Sequence, residues 1–318
     1  MAGIEIVGTG RMLPSKIVTN DMMSEIVDTS DEWITSRTGI KQRYFCDKDE
    51  NVLMLAKNAA QQAIADAGID KEDIGFCLVA SFTPEFQSPS VACLLQSDLG
   101  LSNDIMALDF NAACSGFVYG MQLAAALLSQ KKDKYVLLVG AEHISKILDF
   151  SDRATCILFG DGAGAVLLKY SEDNCFHGVS GSAGDPDALC STFSDDGSYK
   201  LGMDGQGVFR FAVDTVPKTI NAVLEQAEMS IDDIDYVICH QANKRIIDSA
   251  ARRLSNAAGR DVSDKFYINV DKYANTSAAS IPIAIDEMKE NGLLKKGMNI
   301  LLVGFGSGLT WGSVVLKF

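Results

Sequence analysis

The two halves of this chain repeat the same pattern of elements, and that repetition constrains the fold more than any single motif. Residues 63–80 read as a helix, an acidic turn and a buried strand, and residues 223–240 read the same way. Two more pairs follow in the same order, at offsets of about 150 to 165 positions. The shared order indicates an internal duplication. These two pairs are residues 135–140 with 299–304 and residues 164–169 with 312–317.

The duplication predicts an α/β protein with two similar units, residues 1–170 and residues 171–318. Between them, residues 172–202 are rich in Gly, Ser and Asp and have no clear periodicity. We expect this stretch to connect the halves as a loop that serves as a lid or a binding loop.

Charge and composition exclude several classes of protein. The net charge of −14 over 318 residues argues against broad binding to nucleic acid or anionic membranes. No apolar run approaches the roughly 20 residues that span a bilayer, and residues 1–8 read as a first strand rather than a signal peptide. We therefore expect a cytoplasmic protein. The eight cysteines form no C-x-x-C pair and have no histidine at ligand spacing, so neither disulfides nor a metal site is predicted.

Cys114 is the first candidate for chemistry. An apolar strand over residues 105–110 is expected to lead into a helix over residues 117–128, with this cysteine just before the helix. A helix start presents unpaired N–H groups and the positive end of the dipole, which favour a thiolate over a thiol. The alternative is a buried, inert cysteine.

The duplication adds Asn275 as a second candidate. In the aligned halves it is expected at the mirror position of Cys114, after a strand over residues 266–270 and before a helix over residues 281–290. The alternative for this asparagine is a turn or a helix cap.

His240 is the third candidate, at the end of the strand that repeats residues 76–80. Ligands of α/β sheets gather at the carboxyl ends of strands, so Cys114, His240 and Asn275 are expected to converge. The alternative for His240 is a satisfied core histidine.

Together these residues suit carbon–carbon bond formation. A cysteine nucleophile needs an ionised sulfur and a polarised acyl carbonyl, and the helix start and the small residues of the loop over residues 304–308 supply backbone N–H groups. His240 and Asn275 can donate hydrogen bonds to a second oxyanion, which simple acyl hydrolysis does not require. A thioester enolate is such an oxyanion.

Six segments, in order through essentially the whole chain, carry a specific combined signal: residues 31–40, 113–117, 159–165, 240–243, 275–280 and 304–312. Together they resemble bacterial β-ketoacyl-[acyl carrier protein] synthase III. The resemblance implies a duplicated thiolase fold, layered α-β-α-β-α with two mixed five-stranded sheets, and a homodimer. It also implies a catalytic triad of Cys114, His240 and Asn275.

By this resemblance, Cys114 takes an acyl group from acyl-coenzyme A (acyl-CoA), and free CoA leaves. Malonyl-acyl carrier protein then loses carbon dioxide, and its enolate, stabilised by His240 and Asn275, attacks the acyl-cysteine. The product, 3-oxoacyl-acyl carrier protein, begins fatty-acid synthesis. The backbone N–H groups of Cys114 and Ser307 would form the oxyanion hole. No tightly bound cofactor and no metal are implied, and acyl-CoA is a substrate.

The resemblance also assigns the substrate contacts. In the CoA site, Trp33 would stack on adenine, and Arg37 and Arg153 would bind phosphates. The alternative for Trp33 is an ordinary half-buried anchor. The alternative for Arg37 is an ion pair with Asp31 or Glu32. The acyl pocket would include Phe305 and Ser88, the latter where many members carry a phenylalanine that reaches the opposite subunit. A small residue there predicts wider primer use. The CoA contacts are Trp33, Arg37, Arg153, Gly205 and Asn243.

A basic helix follows Asn243 on this acidic protein. Lys244, Arg245 and Arg252 are predicted to dock the acidic carrier protein, and Arg245 and Arg252, seven positions apart, should share one face. The alternative is a solvated helix face.

Parts of the sequence also suggest other functions. Gly160-x-Gly162-x-x-Ala165 fits a dinucleotide fingerprint and suggests an NAD(P) oxidoreductase, although the following residues read as a strand where a helix is required. A thiolase needs a second cysteine in the last glycine loop, which residues 304–312 lack. A condensing enzyme or acyltransferase of specialised metabolism on the same fold remains open. A non-catalytic partner subunit normally lacks the nucleophile.

Overall fold

The computed structural model describes residues 3–193 and 199–318, and its first sheet contains five strands. In the sheet they stand in the order β1-β7-β6-β4-β5, with β4 parallel to β5 and β6, and with β7 antiparallel to β1 and β6. These strands are β1 (Gly3–Met12), β4 (Ile74–Ala80), β5 (Met106–Phe110), β6 (Tyr135–Glu142) and β7 (Gly162–Ser171). β2 (Lys16–Thr19) and β3 (Gln42–Phe45) form a separate two-stranded antiparallel sheet.

The second sheet repeats this pairing with one strand fewer. Its order is β11-β12-β13-β8, with a parallel first pair and antiparallel partners after it. Its strands are β8 (Phe176–Ser182), β11 (Tyr236–Cys239), β12 (Asn299–Gly306) and β13 (Thr310–Lys317).

The strand predicted over residues 266–270 is wrong. At the fifth position the structure has only an isolated parallel bridge between Phe266 and Val237. Hydrogen bonds to side chains replace strand pairing in this segment. The backbone N–H of Asn269 donates to the Gln241 side chain at 3.0 Å, and the Asn269 side-chain amide donates to Glu287 at 2.8 Å.

The expected loop between residues 172 and 202 is also wrong, because it contains strands. β8 is the outer strand of the second sheet, although its alternation of small and polar residues gave no clear period. A separate hairpin follows, formed by β9 (Leu189–Phe193) and β10 (Tyr199–Met203). The part of this stretch from 194 to 198 lies outside the described residues.

The helices complete five layers. The side chains of α5 and α10 fill the core between the two sheets, α3 and α4 cover the outer face of the first sheet, and α7 and α8 cover that of the second. The predicted α-β-α-β-α thiolase fold is therefore confirmed. The helices are α1 (Asn20–Ser24), α2 (Asp31–Thr38), α3 (Val52–Ala67), α4 (Val91–Leu99), α5 (Gly116–Gln130), α6 (Arg153–Cys156), α7 (Gly205–Ala227), α8 (Lys244–Ala258), α9 (Val270–Tyr273) and α10 (Ser280–Glu290).

Two further expectations are settled by the fold. The glycine fingerprint at Gly160 runs into strand β7 and not into a helix, so the dinucleotide site that it suggested is not formed. Among the helices in the described ranges, none has the length and apolar character needed to cross a bilayer.

Candidate active site

Cys114 lies in a single 3-10 turn, Ala113–Ser115, between the end of β5 and the start of α5. The turn begins with strained backbone, because Ala113 has a φ of +46°, and the Asn111 side chain accepts its N–H at 3.0 Å. Cys114 is 5% exposed and lies on the wall of a cavity. The predicted placement of this cysteine just before a helix is thus confirmed.

The mirror position of Cys114 is Ala278 and not Asn275. A second 3-10 turn, Ser277–Ala279, precedes α10 as the first precedes α5, and its first residue, Ser277, has a φ of +50°. The middle residues of the two turns therefore correspond. Aligning the two halves of the sequence by their small residues, which both turns contain in abundance, places Asn275 opposite Cys114, three residues before the true counterpart Ala278.

Asn275 is nevertheless held beside this second turn. Its backbone bridges to the strand-like segment before β7, donating to Leu158 at 2.9 Å and accepting from Gly160 at 3.0 Å. Its side-chain oxygen accepts the N–H of Ser277 at 2.8 Å. That bond fixes the orientation of the carboxamide and leaves its NH₂ group as the donor for a ligand.

His240 follows β11 directly, and its imidazole is 1% exposed. Its Nδ1 lies 2.7 Å from the hydroxyl of Ser280, and its ring packs edge-on against Phe305 at 5.2 Å between centroids. The same hydroxyl accepts the backbone N–H of Gln241 at 3.4 Å. Burial lowers the pKa of His240 to about 3, so the ring is neutral at physiological pH.

The segment from Asn275 to Ser280 is where the three candidates meet. Asn275 begins it, the Ser280 hydroxyl at its end lies 2.7 Å from Nδ1 of His240, and the Ser277 hydroxyl in its middle lowers the pKa of the Cys114 thiol. The convergence expected from the sequence has a physical basis in this one short segment.

Glu142 is a residue that the sequence reasoning missed. It ends β6, is fully buried, and accepts hydrogen bonds from the hydroxyls of Thr83 at 2.5 Å and Ser81 at 3.3 Å. Burial raises its pKa to about 8. The Ser277 hydroxyl acts to lower the pKa of Glu142, although it forms no hydrogen bond with any described residue. The rule that pointed to His240, a polar side chain at the end of a buried strand, would have found it.

The expectation that the helix start favours a thiolate is not met in the free protein. Burial raises the pKa of the Cys114 thiol to about 12, the Ser277 hydroxyl lowers it, and the Glu142 carboxyl raises it again. Burial therefore favours the thiol form of Cys114 in the free protein.

The last glycine loop packs directly on the nucleophile. Gly306 leaves no room for a side chain, because a Cβ there would lie 2.7 Å from the Cys114 Cβ and 3.1 Å from its nitrogen. The neighbouring Ser307 shares the cavity with Cys114, and its hydroxyl donates to the carbonyl of Leu189. The backbone of Gly306 therefore lies against Cys114, and Ser307 lines the same cavity.

The cavity in front of Cys114 has a volume of about 880 Å³, which suits a small organic ligand. Its walls come from both halves of the chain. The residues that line it are Ser81, Phe82, Thr83, Pro84, Glu85, Gln87, Asn111, Ala113, Cys114, Lys146, Ile147, Phe159, Leu189, Cys190, Ser191, Tyr199, Leu201 and Ser307.

The predicted CoA contacts form a second group on the surface. The guanidinium carbons of Arg37 and Arg153 lie 5.9 and 5.4 Å from the ring centroid of Trp33, and the Asn243 amide donates to the Arg37 carbonyl at 3.2 Å. Arg37 forms no ion pair within residues 3–193 and 199–318, so the alternative pairing with Asp31 or Glu32 is not seen.

Gly205 stands apart from direct contact with that group. It begins α7, and its neighbours Met203 and Val208 pack against the same hydrophobic cluster as Trp33.

Comparison with known proteins identifies the family. The profile described as 3-oxoacyl-[acyl-carrier-protein (ACP)] synthase III matches residues 108–184, and the profile of its C-terminal part matches residues 224–318. A β-ketoacyl-[acyl-carrier-protein] synthase III of Clostridium acetobutylicum is 46% identical over 331 aligned positions, covering 100% of this chain and 99% of that protein. The chain belongs to this family.

Solved structures agree. The 3-oxoacyl-[acyl-carrier-protein] synthase III from Aquifex aeolicus VF5 has a TM-score of 0.93 at 40% identity, covering 99% of this chain and 100% of that one. The priming β-ketosynthase from the R1128 polyketide biosynthetic pathway has a TM-score of 0.92 at 31% identity, covering 99% and 96%. The resemblance inferred from the six segments is confirmed.

Within this synthase III chain, the basic patch lies on α8 as expected. Arg245 and Arg252 line one groove of about 270 Å³ between α7 and α8, so their shared face is confirmed. The Arg245 guanidinium lies 5.1 Å from the Phe209 ring centroid, and Lys244 pairs with Asp248 at 2.7 Å. Arg252 forms no ion pair in the described part of the chain.

The two acyl-pocket predictions fall in different places. Ser88 is exposed and is not among the described residues that line this chain's own cavity, although its neighbour Gln87 is. Phe305 is buried behind His240, and the described cavity wall does not include it. In this synthase III chain, Phe305 therefore contacts the imidazole rather than the open space in front of Cys114.

Proposed function

We propose that this protein is an acyl-transferring condensing enzyme that initiates fatty-acid synthesis. It joins an acyl group from acyl-CoA to malonyl-acyl carrier protein and releases 3-oxoacyl-acyl carrier protein, CoA and carbon dioxide. The observation that carries the proposal is the arrangement around one segment, residues 275–280: Asn275 begins it, Ser280 at its end lies 2.7 Å from Nδ1 of His240, and the Ser277 hydroxyl in its middle lowers the pKa of the Cys114 thiol. Names of relatives at up to 46% identity support the same activity.

In the first step, the Cys114 sulfur attacks the thioester carbonyl of acyl-CoA. The new C–S bond forms as the bond to CoA breaks, and the thiol proton leaves with the CoA sulfur. The backbone N–H groups of Cys114 and Ser307 receive the developing oxyanion, and the contact of Gly306 with Cys114 supports this arrangement. Because the resting thiol has a raised pKa, its deprotonation is coupled to substrate arrival.

In the second step, the malonyl group loses carbon dioxide, and the electron pair forms a thioester enolate. In this proposal the Ser280 hydroxyl accepts the Gln241 N–H and donates its own proton to Nδ1 of His240, which places the ring proton on Nε2. Nε2–H then faces the enolate oxygen beside the Asn275 NH₂ group. A histidine with a pKa of about 3 stays neutral, so it donates a hydrogen bond without giving up its proton. The enolate carbon attacks the carbonyl of the acyl-cysteine, the C–S bond breaks, and the departing Cys114 thiolate takes a proton from water to restore the thiol.

Acyl-CoA is recognised as a substrate at Trp33, Arg37, Arg153 and Asn243, with Gly205 nearby, and no cofactor is bound tightly. The carrier protein docks on Lys244, Arg245 and Arg252 through its acidic surface. We place the enzyme in the cytoplasm and treat residues 1–170 and 171–318 as its two thiolase-like halves. A soluble pool of carrier protein and CoA suits this placement.

The active enzyme is a homodimer in this proposal. Strand β5 pairs only with β4 among the described strands, so its outer edge is free to continue the sheet into a second copy. Met106 on that strand is 49% exposed and Phe86 nearby in the chain is 57% exposed. Sedimentation should show a dimer at micromolar concentration, and a monomer would contradict this part.

A specialised priming enzyme is the second candidate. The structural likeness to the R1128 priming ketosynthase and the small Ser88 favour it over strict acetyl use. Steady-state rates with acetyl-, butyryl- and isobutyryl-CoA decide between them. Comparable rates for all three favour the broader primer range, and strict acetyl preference excludes it.

The division of labour is tested with His240→Ala. Mass spectrometry of the acyl-enzyme beside product formation should show that self-acylation is retained while decarboxylative condensation falls about 100-fold or more. Equal loss of both steps would contradict the proposed roles, and Cys114→Ala, which must lose both, is the control.

A further inference from the structure

Three side chains that are far apart in the sequence meet outside the active site. The Cys46 sulfur, a ring nitrogen of His143 and a carboxylate oxygen of Asp161 all lie within 4.8 Å of one another. Each stands at a strand end: Cys46 follows β3, His143 follows β6, and Asp161 precedes β7. Asp161 is fully buried, and the other two are half-buried.

Two of these groups have capacity for another ligand. Nδ1 of His143 is buried and has no hydrogen-bond partner among the described residues, and its nearest charged neighbour is Oε1 of Glu85 at 3.7 Å. Asp161 is held by the N–H groups of Cys46 and Ser145, each at 2.8 Å, and by the Ser145 hydroxyl at 2.5 Å. Only one of these bonds is to Oδ1, which keeps a lone pair free.

Carboxylates surround this cluster. Besides Asp161 within it, Oε1 of Glu85 lies 3.7 Å from Nδ1 of His143, and Lys146 pairs with the same Glu85 oxygen at 3.3 Å. A divalent cation in place of the thiol proton would offset these carboxylates, since a coordinated thiol is deprotonated by the metal.

We propose that Cys46, His143 and Asp161 bind a zinc-class divalent cation, with Glu85 or water as the fourth ligand. Sulfur, imidazole and carboxylate form the donor set that zinc prefers. In a tetrahedral site with bonds of about 2.0 to 2.3 Å, ligand atoms stand about 3.3 to 3.8 Å apart, so the side chains need to close by about 1 Å. The bonds from Ser145 orient the carboxylate as outer-shell partners do in metal sites.

A metal bound at this site would affect residues on the wall of the substrate cavity. Glu85 and Lys146 both line that cavity, and the backbone N–H of His143 donates to the Thr83 hydroxyl at 2.9 Å. A metal that draws Glu85 away from Lys146 changes the charge on this wall. Binding is therefore expected to modulate acyl-CoA use without taking part in the condensation.

Titration of the intact protein with Co²⁺ tests the proposal without relying on activity. The wild type should develop a thiolate-to-cobalt charge-transfer band that one equivalent of Zn²⁺ removes. Cys46→Ser should abolish the band, and His143→Gln should weaken binding at least about 10-fold. Cys93→Ser, which removes an exposed thiol elsewhere, is the matched control and should leave the band unchanged.

Thermal unfolding gives a second readout. Zn²⁺ at about 100 times its dissociation constant should raise the Tm of the wild type by about 4 °C and leave that of His143→Gln nearly unchanged. A wild type that shows no band and no shift overturns the proposal, and so does a band that survives Cys46→Ser. In that case the cluster is a hydrogen-bonded thiol and nothing more.

Discussion

Replacing Gly306 with alanine should displace the Cys114 thiol while leaving the thiol itself chemically unchanged. The added Cβ would lie 2.7 Å from the Cys114 Cβ, 3.1 Å from its nitrogen and 3.2 Å from its sulfur. Ordinary carbon–carbon contacts are about 3.5 to 4.0 Å, so the turn that carries Cys114 must move by about 1 Å. A misplacement of that size costs about 100-fold in rate, and the overpacking costs about 1 to 3 kcal/mol of stability.

The assay is the rate of Cys114 acylation by acyl-CoA, followed by intact-protein mass spectrometry and accompanied by thermal unfolding. Gly184→Ala is the matched control, because a Cβ there meets no atom of residues 3–193 or 199–318 within 4 Å. We expect Gly306→Ala to acylate about 100-fold more slowly and Gly184→Ala to stay within about twofold of the wild type. Acylation of Gly306→Ala at the wild-type rate, with unchanged stability, would refute the claim that this loop positions the sulfur.

Four more outcomes follow from the structure. Burial raises the folded-state pKa of Glu142 from 4.5 to about 8, so the wild type should lose stability relative to Glu142→Gln as pH rises from about 4.5 to 8, as measured by urea unfolding. Hydrogen bonds lower the pKa of Glu287, so Glu287→Gln should show the opposite trend, with a deficit present above pH 4.5 that shrinks on acidification; matching trends would contradict both assignments. Trp33→Ala should raise the Michaelis constant for acyl-CoA about 10-fold and leave that for malonyl-carrier protein unchanged, because it removes an adenine-stacking surface. Arg245→Glu should do the reverse, with an effect that fades at high salt, whereas Lys295→Glu on a distant loop should change neither constant.

Local patterns in the sequence were sufficient to predict the strands that precede Cys114 and His240 and the placement of both residues. The strand before His240 is buried, and the strand before Cys114 is largely apolar but only half-buried, so period and turn chemistry over a few residues indicate both. The register between the halves was less accessible, because small residues recur in both turns, and Asn275 was therefore aligned where Ala278 stands.

Features that depend on distant contacts escaped prediction. Strand β8 exists because β13 pairs with it, although its own sequence has little apolar period. Glu142 ends a buried strand, which is a signal that the sequence carries, but its partners Thr83 and Ser81 lie 59 and 61 positions away in the chain, so its role is visible only in the fold. The Cys46 cluster has no local spacing at all, since three separate strand ends form it.

The central claim is that one sulfur carries the acyl group between the two substrates. A pulse of labelled acyl-CoA, followed by malonyl-carrier protein, should first place the label on the peptide that contains Cys114 and then transfer it to 3-oxoacyl-carrier protein at the rate of turnover. Label on another residue, or an adduct on Cys114 that persists while product accumulates, would contradict the account.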